Sequence, residues 1–230
     1  MFKKTNRKPL NTVDHSATLN FQIKEAYKTA RTNLVFSVIK EGCKKIVVTS
    51  SLKSEGKTTT AVNLAIALAQ QVDTRVLIID CDLRKPKVDR FFNLSAAPGL
   101  TNVLGKIHTV DEAVHHTKME NLDVLCAGVV PPNPSELLSS ESMKQLLASF
   151  SDEYDYIILD TPPVNVVVDA LPLITESDGV LIVVREGTST YPELHKTVEA
   201  IKRVDAKVLG LIINGVDSKN GKGGYFYRYE

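Results

Sequence analysis

The stretch Ile46-Val47-Val48-Thr49-Ser50-Ser51-Leu52-Lys53-Ser54-Glu55-Gly56-Lys57-Thr58-Thr59-Thr60 decides how this chain is read. An apolar β-branched run passes into a polar turn, and a helical pattern follows from Thr58 to Gln71. The run does not alternate with polar residues, which suits a strand covered on both faces. Gly56-Lys57-Thr58 falls where the helix opens. There the first backbone N–H groups have no partner within the helix, and its dipole favours an anion. Gly56 lets the backbone approach closely, Lys57 adds a cation and Thr58 a hydroxyl. That combination suits a phosphate chain.

Further apolar runs follow along the chain: Val76 to Ile79, Ile157 to Leu159, Val180 to Val184 and Val208 to Ile213, with Leu122 to Leu125 a weaker one. Helical patterns separate them at 135–150 and 193–204, and another covers 20–36, with Asn20 placed to cap it. Strands alternating with helices predict an α/β fold: a doubly wound, mostly parallel sheet with helices on both faces. Residues 1–19 read as a flexible arm, 20–216 as one domain, and 217–230 as a flexible tail loosened by Gly221, Gly223 and Gly224.

Composition narrows the class. The 230 residues carry a formal net charge of +1, which supplies no bulk drive toward nucleic acid. Local basic clusters occur at Lys3, Lys4, Arg7 and Lys8 and at Lys219, Lys222 and Arg228. Cys43, Cys81 and Cys126 show no metal-binding spacing and read as reduced thiols of a cytosolic protein. No apolar run reaches the ~18 residues expected of a membrane span. His115 and His116 read as surface residues of a helix or loop, and Tyr154 and Tyr156 as packing groups.

In such folds chemistry gathers beyond the C-terminal strand ends. Ile78-Ile79 leads into Asp80-Cys81-Asp82-Leu83-Arg84, and Ile158-Leu159 into Asp160-Thr161-Pro162-Pro163. Carboxylates at two strand ends, with a Gly-Lys-Thr at a third, suit an oxygen-seeking cation such as Mg²⁺. Thr58, Asp82 and Asp160 are the candidate metal ligands. Ser51, Ser54, Glu55, Gly56, Lys57, Thr58 and Thr59 are the candidate nucleotide-binding residues of the loop. Ser51 and Ser54 stand where such loops commonly carry glycine.

These motifs resemble the bacterial tyrosine kinases of capsule and exopolysaccharide synthesis, within the deviant-Walker P-loop ATPases that include MinD and ParA. Gly56-Lys57-Thr58 looks like the end of a Walker A loop, Asp80-Cys81-Asp82-Leu83-Arg84 like Walker A′, and Ile157 to Pro163 like Walker B. Pro131 to Leu138 and Arg31 to Leu34 are also similar to segments of those kinases. The resemblance implies ATP and Mg²⁺, with Lys57 on the terminal phosphates, Asp82 and Asp160 holding the metal, and Asn214 facing the adenine. It implies that Asp80 accepts the tyrosine proton. Arg84 has two readings: it stabilises the developing charge, or it organises its loop. An ExxRxxR interface motif falls on Glu25, Lys28 and Arg31, with lysine at the middle position, and implies self-association in a ring. The resemblance also implies a transmembrane adaptor that brings a cytoplasmic kinase to the inner face of the membrane, and a tyrosine phosphatase partner. No nucleic acid is expected.

Tyr225, Tyr227 and Tyr229 crowd the last six residues behind the glycines. Exposed aromatics on a loose terminus need a purpose, and autophosphorylation is the one the motifs supply. The rival reading is a MinD- or ParA-like ATPase switch without tyrosine kinase activity. Proteins of that kind carry a lysine at the second loop position, where this chain has Leu52, and the membrane type ends in an amphipathic helix rather than tyrosines.

Overall fold

The computed structural model describes residues 15–216. Tyr225, Tyr227 and Tyr229, with the rest of the expected tail, lie outside the described residues. Of the expected N-terminal arm, residues 15–19 belong to a helix: α1 spans His15–Ser37, so Asn20 lies within it and does not cap it.

The chain continues through β1 (Lys44–Ser50), α2 (Lys57–Ala69), β2 (Val76–Asp80), α3 (Val88–Phe92), α4 (Leu100–Leu104), α5 (Val110–Ala113), β3 (Val114–His116) and β4 (Leu122–Leu125). It then forms α6 (Pro134–Leu138), α7 (Glu141–Ser149), β5 (Tyr156–Asp160), α8 (Leu171–Thr175), β6 (Gly179–Arg185), α9 (Tyr191–Lys202) and β7 (Val208–Asn214). The strands make one sheet in the order β3-β4-β2-β5-β1-β6-β7. All pairs are parallel except β3 with β4.

Alternate side chains of each central strand feed two cores, as the two-residue repeat of a strand requires. Ile46, Val48, Ile78, Ile158 and Val183 pack under α1 and α2, against Leu34, Leu64 and Leu68. Val47, Leu77, Ile79, Leu159 and Ile182 pack on the other face, against Leu100, Met143, Leu147, Leu173 and Ile201 from the later helices. A strand covered on both sides has no polar face to show, hence the unbroken apolar runs. Truncating a fully buried residue such as Ile78 or Leu159 to alanine should cost about 3 kcal/mol.

Two local expectations are corrected. Residues 135–150 do not form one helix: the chain breaks between α6 and α7, where Ser140 Oγ accepts the Met143 N–H at 3.2 Å and caps α7. His115 and His116 lie in β3, the antiparallel edge strand, and His116 Nδ1 sits 2.8 Å from Asp123 Oδ1. Tyr154 and Tyr156 are buried packing groups, as expected. Among the described residues no helix is long and apolar enough to cross a membrane.

Candidate active site

The loop joining β1 to α2 builds one wall of the site. Gly56 precedes the helix with φ 92°, a left-handed conformation that favours glycine. A Cβ added there would come within 2.4 Å of Asn214 Nδ2. Ser54 also has a positive φ, 65°, which explains why a glycine is common at that position. The Thr197 hydroxyl donates to Ser51 Oγ at 2.8 Å, so Ser51 faces α9 rather than an open cradle.

Lys57 opens α2 and reaches sideways. Its Nζ lies 2.7 Å from Asp82 Oδ2 and 3.7 Å from Asp160 Oδ1. Lys57, at the start of α2, thus meets Asp82 and Asp160 from the C-terminal sides of β2 and β5. Burial works against the Lys57 charge, yet the Asp160 and Asp82 carboxylates outweigh it and hold the ammonium above its usual pKa. Asp82 Oδ1 accepts the Lys85 N–H at 3.1 Å, which fixes the carboxylate.

Asp160 is fully buried, and neither of its carboxylate oxygens has a hydrogen-bond partner. Burial raises its pKa, with Lys57 pulling the other way. Buried orphan oxygens of this kind are costly unless something binds them. With Asp80, Asp82 and Asp160 gathered around a single ammonium, acidic groups outnumber cations. Mg²⁺ fits this donor set: it takes oxygen ligands, needs only one or two carboxylates beside phosphate, and keeps waters. Thr58, Asp82 and Asp160 are the residues that would hold it. The described residues contain no cluster of three or more acidic, histidine or cysteine side chains shaped as an all-protein metal cage, which such a site does not need.

Three expectations change on this geometry. Asp80 is wholly buried, and both its oxygens are engaged. Oδ1 accepts the Asp82 N–H at 3.1 Å, and Oδ2 accepts those of Lys87 and Val88, each at 2.9 Å. In this arrangement Asp80 shapes the loop carrying Asp82 and Arg84 and is not open to a tyrosine hydroxyl. Asn214 does not face outward to a base: its Nδ2 donates to the Glu55 carbonyl at 3.0 Å and to Thr60 Oγ1 at 3.1 Å, bracing the loop from β7. Arg84 is committed to Asp169, a residue the sequence reading did not single out. Nε donates to Oδ2 at 2.6 Å and Nη2 to Oδ1 at 3.1 Å, a bidentate pair that favours the loop-organising reading.

The interface motif is partly used within the chain. Lys28 Nζ pairs with Glu25 Oε1 at 2.6 Å, while Arg31 Nη1 donates to the Ala67 carbonyl at 2.9 Å, near the C-terminal end of α2.

A family model described as an AAA domain matches residues 43–211. The tyrosine-protein kinase YwqD of Bacillus subtilis is 43% identical over 203 residues, covering 88% of this chain and 85% of that one. The chain belongs to the bacterial tyrosine-protein kinases. The putative tyrosine-protein kinase CapB of Staphylococcus aureus is 32% identical, over 89% of this kinase and 90% of CapB. Some relatives are much longer, and this kinase spans 30% and 27% of two of them. Among solved structures, the kinase domain of the Escherichia coli tyrosine kinase ETK superposes with a TM-score of 0.83, with 31% identity over 99% of this chain and 89% of that one.

Proposed function

We propose that this protein-tyrosine kinase transfers the γ-phosphoryl group of ATP to its own C-terminal tyrosines, Tyr225, Tyr227 and Tyr229, in trans between protomers. Its role is in the control of capsular or extracellular polysaccharide synthesis, at the inner face of the membrane through a transmembrane adaptor. A tyrosine phosphatase reverses the modification. The observation that carries the reading is the convergence of Lys57, Asp82 and Asp160 within 3.7 Å at three strand ends.

The loop N–H groups around Gly56 and the α2 dipole receive phosphate oxygens. Lys57 exchanges Asp82 for the terminal phosphates, and the Thr58 hydroxyl stands beside it. Mg²⁺, when bound, neutralises phosphate charge and orients the triphosphate. Catalysis of this kind rests on positioning and charge stabilisation more than on covalent chemistry. Asp80 and the Arg84–Asp169 pair hold the β2–α3 loop in shape. For Asp80 to take the tyrosine proton, the Lys87 and Val88 N–H groups must first release its Oδ2.

Incubation with Mg·ATP, with and without a candidate adaptor tail, followed by phosphotyrosine mapping by mass spectrometry, tests this. Modification at the three tail tyrosines, lost in Lys57→Met, is expected. Phosphate release without phosphotyrosine, even with the adaptor present, would favour an ATPase switch.

A further inference from the structure

Glu55 places an acid inside the loop that receives phosphate, and it is wholly buried. A buried carboxylate is costly unless a cation or hydrogen bonds compensate. Among the described residues no cation lies within 4.0 Å of it. Its two oxygens are divided between two donors instead. Oε2 accepts the Leu52 N–H at 2.7 Å, within the loop. Oε1 accepts the hydroxyl of Ser189, in the turn between β6 and α9.

Ser189 is itself fixed. Its Oγ accepts the Arg185 N–H at 3.0 Å, and its own N–H donates to the Arg185 carbonyl at 3.1 Å. The end of β6 thus sets where the hydroxyl stands. β6 borders β1 on one side, while β5 and then β2 lie on the other. Lys57 reaches toward the β2 and β5 carboxylates, and Glu55 is drawn the opposite way, toward β6.

We propose that Ser189 is a positioning residue of the nucleotide site: its hydroxyl pins the Glu55 carboxylate on the β6 side, away from the phosphate cradle. This rests on the reading of the loop as an ATP site. Without the Ser189 donor, Oε1 is left buried and unpaired, and the carboxylate is released to turn into the loop, where N–H groups and the Lys57 ammonium are the available counter-groups. Those are the groups phosphate needs. The released charge then competes with the triphosphate and repels it.

The test is a double-mutant cycle on the full chain, built from Ser189→Ala and Glu55→Gln. Affinity is read by titration with a fluorescent ADP analogue and Mg²⁺, alongside kcat and KM for ATP and thermal unfolding. Ser189→Ala is expected to weaken nucleotide binding ~10-fold, the scale of a hydrogen bond to a charged group, with kcat at saturating ATP kept within about 2-fold. Ser189→Thr is expected to restore affinity. In the Glu55→Gln background, Ser189→Ala is expected to change affinity less than about 2-fold, since the charge that competes is gone. Equal losses in both backgrounds, or unchanged affinity in Ser189→Ala, would overturn the inference. A wild-type chain that binds no nucleotide would overturn the ATP-site reading itself. A wild type that binds but is indifferent to Ser189→Ala would overturn the inference alone.

Discussion

Asp80 and Asp160 are register partners across the parallel pair β2 and β5, two fully buried carboxyl groups at adjacent strand ends. Burial, and then the Asp160 charge, raise the Asp80 pKa to about 7, against the Val88 and Lys87 N–H donors and the Lys57 charge, which lower it. Such proximity is tolerated when a proton or a cation compensates. It makes the stability of the site dependent on pH.

The pH dependence has a definite sign. A carboxyl raised on folding binds more protons in the native state than in the unfolded chain. Its contribution is fully present below the ordinary value near ~3.9 and is lost as pH rises through the folded value. For Asp80 that window runs up to about 7. Between pH 5.5 and 8 the wild-type chain should therefore lose about 2 kcal/mol more stability than Asp80→Asn, measured by denaturant unfolding at each pH. Parallel stability curves for the two proteins would contradict the assignment.

Lys57→Met removes the cation that faces Asp82 and Asp160. Phosphotransfer should fall ~10²-fold or more, since a charge-stabilising donor is lost. Stability should fall by about 3 kcal/mol, because breaking a buried pair leaves the partner acids uncompensated. Kinetics and denaturant unfolding of the same preparation check both figures. A fully active variant would remove Lys57 from the chemistry.

Arg84→Ala and Asp169→Ala should have similar effects on turnover, a fall of several-fold each, with the double variant little worse than either. Residues that act as one unit are not additive. If Arg84 instead stabilised the transferring group directly, Arg84→Ala would lose far more activity than Asp169→Ala. Arg84→Lys should not rescue, because lysine cannot reproduce the two-pronged contact.

Ser54→Gly should stabilise the chain by about 1 kcal/mol, since the left-handed conformation at φ 65° costs a Cβ-bearing residue about that much. Thermal unfolding measures it. A destabilised glycine variant would mean that the serine side chain contributes more than its backbone strain removes.

The parallel core was legible because buried strands advertise themselves as apolar runs, from Ile46 to Val48 through Val180 to Val184. β3 was not, since a three-residue edge strand reading Val-His-His has neither an apolar run nor alternation. The α6–α7 break did carry a signal, the capping residue Ser140, within a pattern that otherwise reads as helix. The convergence of Lys57, Asp82 and Asp160 followed from their places at strand ends. Their neighbours did not follow. Asp169, Ser189 and Thr197 are common residue types whose contacts span 85, 134 and 146 positions in the chain. Asn214, expected to face the adenine, donates instead to Glu55 and Thr60, contacts that no local pattern records.

On the proposed function, ATP turnover here ends on tyrosine. The most direct measurement is the ratio of phosphotyrosine formed to ADP produced in a single incubation with Mg·ATP and an adaptor tail, by mass spectrometry and chromatography of one quenched sample. A ratio near one until the tail sites fill, and neither product in Lys57→Met, is the expected result. ADP accumulating with free phosphate and no phosphotyrosine would instead make the protein an ATPase switch.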